Sequence, residues 1–146
     1  MSVKLALYKA IKPVRDIDSF GAWIIRTWTS SPYSHCELVI AGFCYSCSIQ
    51  DSGVRAKAIN FDSGNWDFVE LPWSDEAAVL SYFEKTKGRP YGWAALILRQ
   101  VFNIRGSDKA SFCSEWVMSA LGVPDAGQYS PAGAANLCEW VNNIKR

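Results

Sequence analysis

The chain has 146 residues, 49% of them hydrophobic and 14% aromatic, with seven tryptophans. That length suits a single domain over residues 1–146 with a sizeable core, and this apolar content excludes an intrinsically disordered chain. With 15 Lys and Arg against 14 Asp and Glu the net charge is +1, so no field of one sign points to nucleic acid or an anionic membrane, and little charge opposes weak homo-oligomers.

Residues 3–9 alternate as a short strand, with Val3, Leu5 and Leu7 on one side. Asp18 then caps a helix that carries Phe20, Ile24, Ile25 and Trp28 to about Thr29, and Pro32 closes it. Residues 34–41 read as a strand with His35, Glu37 and Val39 on one face and Cys36, Leu38 and Ile40 on the other. Gly42 turns the chain into a hairpin partner, Phe43 to Ile49. Val54 to Ile59 and Trp66 to Leu71 are further strands, separated by the loop 62–65. Ser74 is the expected cap of a helix ending near Thr86 and Gly88, with Asp75 and Glu76 in its first turn. Pro90 opens an apolar helix over 91–102, and 103–109 is a polar loop. A helix from about Ser111 carries Cys113 at its start and stops at Gly122. After the loop 125–129, Ser130 and Pro131 start a last helix with Ala134, Leu137, Trp140, Val141 and Ile144 as its apolar positions. Helix, strands and then several helices make an α+β fold, with a central antiparallel sheet of about four to six strands packed against helices.

The chain holds one histidine, His35, and five cysteines, at 36, 44, 47, 113 and 138. The first residues carry no secretory leader pattern, so free thiols are expected. Cys36, Cys44 and Cys138 read as small buried hydrophobes. Cys44 and Cys47 lie three apart in a strand, on opposite faces, which suits neither zinc nor a redox CxxC pair. No metal and no cofactor are expected. Cys113 is the candidate nucleophile: a helix N-terminus favours the thiolate, and its backbone N–H groups suit an oxyanion. The only imidazole that can assist it is His35. The alternative for Cys113 is a core cysteine packed with Trp116 and Val117.

A third group should orient His35. Glu37 shares its strand face and is ionised; Ser48, on the next strand, ranks second by spacing. Tyr33, Ser46, Arg55 and Trp116 are the groove candidates. Arg55 offers a bidentate clamp for a substrate carboxylate, against the alternative of a solvent-facing strand residue.

The tract Tyr33-Ser34-His35-Cys36-Glu37-Leu38-Val39-Ile40, followed later by Phe112-Cys113-Ser114-Glu115-Trp116-Val117 on a helix, resembles the circularly permuted branch of the NlpC/P60 papain-like superfamily, in which the histidine strand precedes the cysteine helix. Cys47 to Arg55, Pro90-Tyr91-Gly92-Trp93 and Ser130-Pro131-Ala132 extend the likeness over roughly residues 30–140. Small bacteriophage proteins are similar too, with strings close to His-x-Glu-Leu-Val and Gly-Val-Arg. The resemblance implies a permuted papain-like fold and a cysteine hydrolase, peptidase, amidase or acyltransferase, with Cys113 as nucleophile and His35 as base. It also implies a third polar residue from the following strand, Ser46 or Ser48. Substrates would be a peptide, peptidoglycan or another acyl compound.

The competing reading keeps this fold without catalysis, as a binding domain that engages a host protein. No transmembrane segment is expected. The expected compartment is cytoplasmic, the host's if the chain is phage-encoded, with virion delivery as the alternative.

Overall fold

The computed structural model describes residues 2–9, 33–48, 51–92 and 112–146. Five strands form one antiparallel sheet: β1 (Val3–Tyr8), β2 (His35–Ile40), β3 (Phe43–Ser48), β4 (Gly53–Lys57) and β5 (Trp66–Leu71), in the order β4-β3-β2-β1-β5. Among the described residues three α-helices accompany it: α1 (Glu76–Thr86), α2 (Cys113–Ala120) and α3 (Pro131–Ile144). The fold is therefore α+β, as the order of patterned segments implies.

The alternation of β1 and β2 sets the layers. Leu5 pairs with Leu38 and Leu7 with Cys36. Directly paired residues share a face, so this face is apolar, and all four side chains are buried. Helix α2 packs on β2 and β3, and α3 packs on β5 and β1. Ala6 pairs with Glu37, Tyr8 with His35 and Ser46 with Arg55, which puts the polar candidates on the opposite face.

Tight connections hold this register. Ala41 (φ 50°) and Gly42 (φ 83°) form a two-residue hairpin loop with both central residues left-handed, the geometry that matches strand twist. At the start of β4, Gly53 has φ +142°, and a Cβ there would lie 2.1 Å from the Arg89 carbonyl oxygen. Glycine thus lets the chain after α1 approach β4, where Val54 N donates to Arg89 O (2.9 Å) and Gly88 N donates to Val54 O (3.0 Å).

Some local expectations change. The cap of α1 is Asp75, whose side chain accepts from Ala78 N, and not Ser74. The Ser74 hydroxyl instead donates to the Leu71 carbonyl at the end of β5 (2.7 Å). Helix α3 buries Pro131, Ala134, Ala135 and Cys138, while Trp140 and Ile144 are exposed. The core stripe therefore runs through the small residues, which let the helix lie close to the sheet. β4 ends at Lys57, short of Ile59. Tyr91 sits in an isolated β-bridge rather than in a helix, and a 3-10 turn (Ala126–Gln128) interrupts the loop before α3. The helix expected over 18–29, the rest of the apolar segment over 93–102 and the loop 103–109 lie outside the described residues.

Candidate functional site

Cys113 is the first residue of α2. Phe112 before it is extended (φ −118°, ψ 170°) and offers no side-chain cap, so the first-turn N–H groups have no capping oxygen from that position. The helix is apolar nearly all round, with Trp116, Val117, Met118 and Ala120 buried. Burying that surface seats α2 on the sheet and brings Cys113 to the margin where β2 begins. There its sulfur meets His35 and Cys36, consecutive residues whose side chains leave opposite faces of the strand.

His35 Nε2 lies 3.2 Å from Glu37 Oε1, a charge contact whose angle falls short of a full hydrogen bond. The imidazole is also hydrogen-bonded with the Cys113 side chain. Burial pushes the His35 pKa down, but the Glu37 charge and the bond with Cys113 push it up further, to about 10. The ring is not sealed: 22% of its side chain is accessible.

The Cys113 pKa moves the other way. A hydrogen bond from the Cys36 thiol contributes most to holding it well below the usual value; burial opposes this, and the His35 contact adds to the lowering. Cys36 is correspondingly raised, first by that same bond and then by burial. These directions favour the thiolate form of Cys113 beside the protonated forms of His35 and Cys36.

Glu37 is fully buried. Burial alone would raise its pKa, yet His35 and Arg55 together hold it low. Arg55 reaches it from β4: Nη1 donates to Oε2 at 2.9 Å, and Nη2 donates to Oε1. Arg55 Nε and Lys57 Nζ each donate to Asp51 Oδ2 at 2.7 Å, and Asp51 is drawn down to about 2 against its own burial. Arg55 is thus engaged by Glu37 and Asp51, and its expected role as a substrate clamp gives way to that of a partner for the buried carboxylate.

The remaining candidates fall elsewhere. The Ser46 hydroxyl donates to the Cys36 carbonyl (2.7 Å), which fixes the strand beside the site. Ser48 is buried near the end of β3, but among the described residues the groups that act on His35 are Glu37 and Cys113. Tyr33 donates to Asp67 Oδ2 (2.6 Å), and that bond, followed by burial, pushes its pKa up to about 12. Trp116 is 0% exposed, and its Nε1 donates to Thr86 Oγ1 at 2.8 Å, so it is a core residue and lines no groove. Cys36 is the participant that sequence reasoning placed in the core alone; its signal was adjacency to His35. Among the described residues no cluster of His, Cys, Asp and Glu could hold a metal ion, and no helix is long and apolar enough to cross a membrane.

No protein-family model, curated protein or solved structure matches the chain.

Proposed function

We propose that this domain is a thiol hydrolase or acyltransferase of the permuted papain-like type, with Cys113 as nucleophile, His35 as general acid and base, and Glu37 as the group that orients His35. The observation that carries the reading is the alignment of Cys113, His35 and Glu37, with a thiolate-favouring contact at one end and an ionised carboxylate at the other.

With Nε2 turned to Glu37, Nδ1 is the ring atom that handles the proton at sulfur. The Cys113 thiolate attacks an amide, ester or thioester carbonyl carbon, and the carbonyl electron pair moves to oxygen. First-turn N–H groups of α2 stabilise that oxyanion. As the oxyanion collapses, the bond to the leaving group breaks and His35 gives that group its proton. The neutral imidazole then takes a proton from water, or from an acceptor amine or alcohol, as that molecule attacks the thioester. Cys113 departs as thiolate, and His35 again holds one proton. Glu37 stays ionised throughout because Arg55 compensates its charge. Candidate substrates are peptides, peptidoglycan and other acyl compounds.

Labelling with an electrophilic acyl or alkylating probe tests the reading. Cys113 should react faster than Cys36, Cys44, Cys47 and Cys138, and the rate should fall by about a hundredfold or more in His35→Ala. Equal rates at all five cysteines sink the proposal.

A second reading rests on the burial of Cys113, which is 1% exposed. In that reading the thiolate pair is part of a closed site, and the domain binds a host protein instead of turning over a substrate. A natively folded protein whose Cys113 resists every probe, until denaturant is added, would favour it.

A further inference from the structure

Among the described residues β5 is the last strand on its side of the sheet, so one of its edges is open. Lys9 N donates to Asn65 O (2.8 Å), one step beyond the Tyr8–Trp66 pair. Hydrogen-bonded and non-hydrogen-bonded pairs alternate along an antiparallel ladder. Tyr8–Trp66, Ala6–Phe68 and Lys4–Glu70 are therefore the non-hydrogen-bonded pairs, and the backbone groups of Trp66, Phe68 and Glu70 turn to the open edge. At one end α3 occupies that edge, where Asn142 Nδ2 donates to Glu70 O (2.8 Å). Among the described residues the backbone groups of Trp66 and Phe68 have no such partner. β5 also contains neither proline nor lysine, two residues with which sheets blunt an exposed edge.

The same two residues carry rings. Trp66 packs against Tyr8 with centroids 5.0 Å apart, and Phe61 meets both Trp66 and Phe68 edge-on, at 5.0 Å and 84° each time. None of the four is sealed: Phe68 is 47% exposed and the others are partly buried. A contiguous apolar patch left at the surface marks an interaction site. The next pair on this face, Lys4 and Glu70, is an ion pair (3.3 Å); its charges balance, so the patch suits an uncharged group. Tyr8 pairs with His35 on its other side, so the rings run on towards the candidate site.

We propose that the open edge of β5 docks an extended peptide as an antiparallel strand, with an aromatic side chain of that peptide on Trp66, Phe61 and Phe68. A row of backbone donors and acceptors is matched by another extended backbone about 4.8 Å away. Residues directly opposite Trp66 and Phe68 then share their face and point their own backbone groups at β5. An incoming ring finds both edges and faces to pack on. The docked strand lies about 14 Å from β2, three strand spacings, which about four extended residues cover. That the peptide is the substrate of Cys113 rests on the hydrolase reading; the docking does not.

The test is a titration of the isotope-labelled full chain with acetyl-Thr-Phe-Thr-Phe-Thr-amide, followed by NMR. The backbone amides of Trp66 and Phe68 and the Trp66 indole should shift. Replacing both Phe residues of the peptide by Ala should weaken binding by about tenfold or more. N-methylation of both Phe residues, which removes the donors aimed at β5, should do the same, whereas N-methylation of the central Thr should not. Phe68→Ala, checked for native near-ultraviolet circular dichroism, should bind the Phe peptide about tenfold more weakly. Equal affinity for the Phe and Ala peptides, equal losses from N-methylation at Phe and at Thr, or shifts confined to other residues overturn the proposal. So does a concentration-dependent dimer that Phe68→Asp disperses and that takes up no peptide, which gives the edge to a second copy of this chain. A peptide held at β5 in a protein whose Cys113 stays inert to every probe leaves the docking site standing and sinks the hydrolase reading. Rapid labelling of Cys113 with Trp66 and Phe68 unmoved by the peptide does the reverse.

Discussion

Arg55 and Glu37 pair across an intervening strand. Arg55 is on β4 and Glu37 on β2, with β3 between them, and Nη1 still reaches Oε2 at 2.9 Å. Ser46, opposite Arg55 on β3, makes this span feasible: its side chain is short, and its hydroxyl is turned to the Cys36 carbonyl. The pair is desolvated, with side-chain exposures of 14% for Arg55 and 0% for Glu37. Two partners therefore hold one buried carboxylate, Arg55 from one side and His35 from the other.

Removing Arg55 should be costly because it leaves that carboxylate short of a cation. Arg55→Ala is expected to destabilise the fold by about 3 kcal/mol, the scale for breaking a buried pair from one side. Arg55→Ala combined with Glu37→Gln should recover part of the loss. Urea unfolding of the two single variants and the double variant measures the coupling, and additive losses would show that the pair contributes nothing specific.

The Cys113–His35 pair sets a pH signature. The ordinary values are 6.5 for His and 9.0 for Cys; the folded His35 is raised to about 10 and the folded Cys113 is lowered well below 9.0. Between 6.5 and 9.0, wherever the folded Cys113 is ionised, the unfolded chain holds one proton on the pair, at sulfur, and the folded chain also holds one, at the imidazole. Stability from the pair is therefore flat there. Below 6.5 the unfolded chain binds a second proton first, so stability falls with acid. Above 9.0 the folded chain alone retains a proton, so stability falls as pH rises towards 10. In Cys113→Ala only the His35 contribution remains. Its stability should decline from pH 6.5 upwards, by at most about 1.4 kcal/mol per pH unit. Thermal unfolding across this range tests both curves; a plateau retained in Cys113→Ala would rule out the proton exchange.

Three positions of the candidate site, His35, Glu37 and Cys113, were legible because each rests on a local rule. Period-two alternation puts His35 and Glu37 on one face, and a cysteine beginning an apolar run identifies a helix N-terminus. The partners of Glu37 were harder. The following strand presents serines at the right spacing, but only the folded register reveals that Ser46 bonds the Cys36 carbonyl while Arg55, a strand further out, finds Glu37. Cys36 was hidden for a different reason: alternation turns it away from His35, and only the end of α2 at the sheet margin reunites the two. The antiparallel sheet was legible from its strand and turn signals. The exposure of Trp140 and Ile144 was not, because the small residues Ala134, Ala135 and Cys138 define the packed stripe.

Trp116 separates core stability from site chemistry. Thr86 Oγ1 accepts from Trp116 Nε1 at 2.8 Å and donates to the Tyr82 carbonyl at 2.8 Å. Thr86→Val preserves shape but leaves the buried indole N–H without its acceptor, a loss of about 1–3 kcal/mol. Because Trp116 faces the core, the labelling rate of Cys113 in the folded variant should stay within about twofold, a shift worth less than 0.5 kcal/mol. A much larger change in rate, with the fold intact, would return Trp116 to the site.

Gly53 carries the longest chain of consequences. Its φ of +142° is one that side-chain-bearing residues rarely adopt, and an added Cβ would meet the Arg89 carbonyl oxygen at 2.1 Å, a backbone atom that cannot swing aside. Relief requires β4 or the chain at Arg89 to move, which breaks the Val54–Arg89 and Gly88–Val54 hydrogen bonds. Gly53→Ala is therefore expected to lose about 2–3 kcal/mol. Displacing β4 also shifts Arg55, two residues on, from Glu37. The variant should then lose thiolate character at Cys113 beyond what its stability alone dictates. Ultraviolet thiolate absorbance in the folded state reads this directly. An unchanged thiolate signal in a destabilised Gly53→Ala protein would show that Arg55 holds Glu37 without influence on the cysteine, and that Cys36 and His35 set its charge.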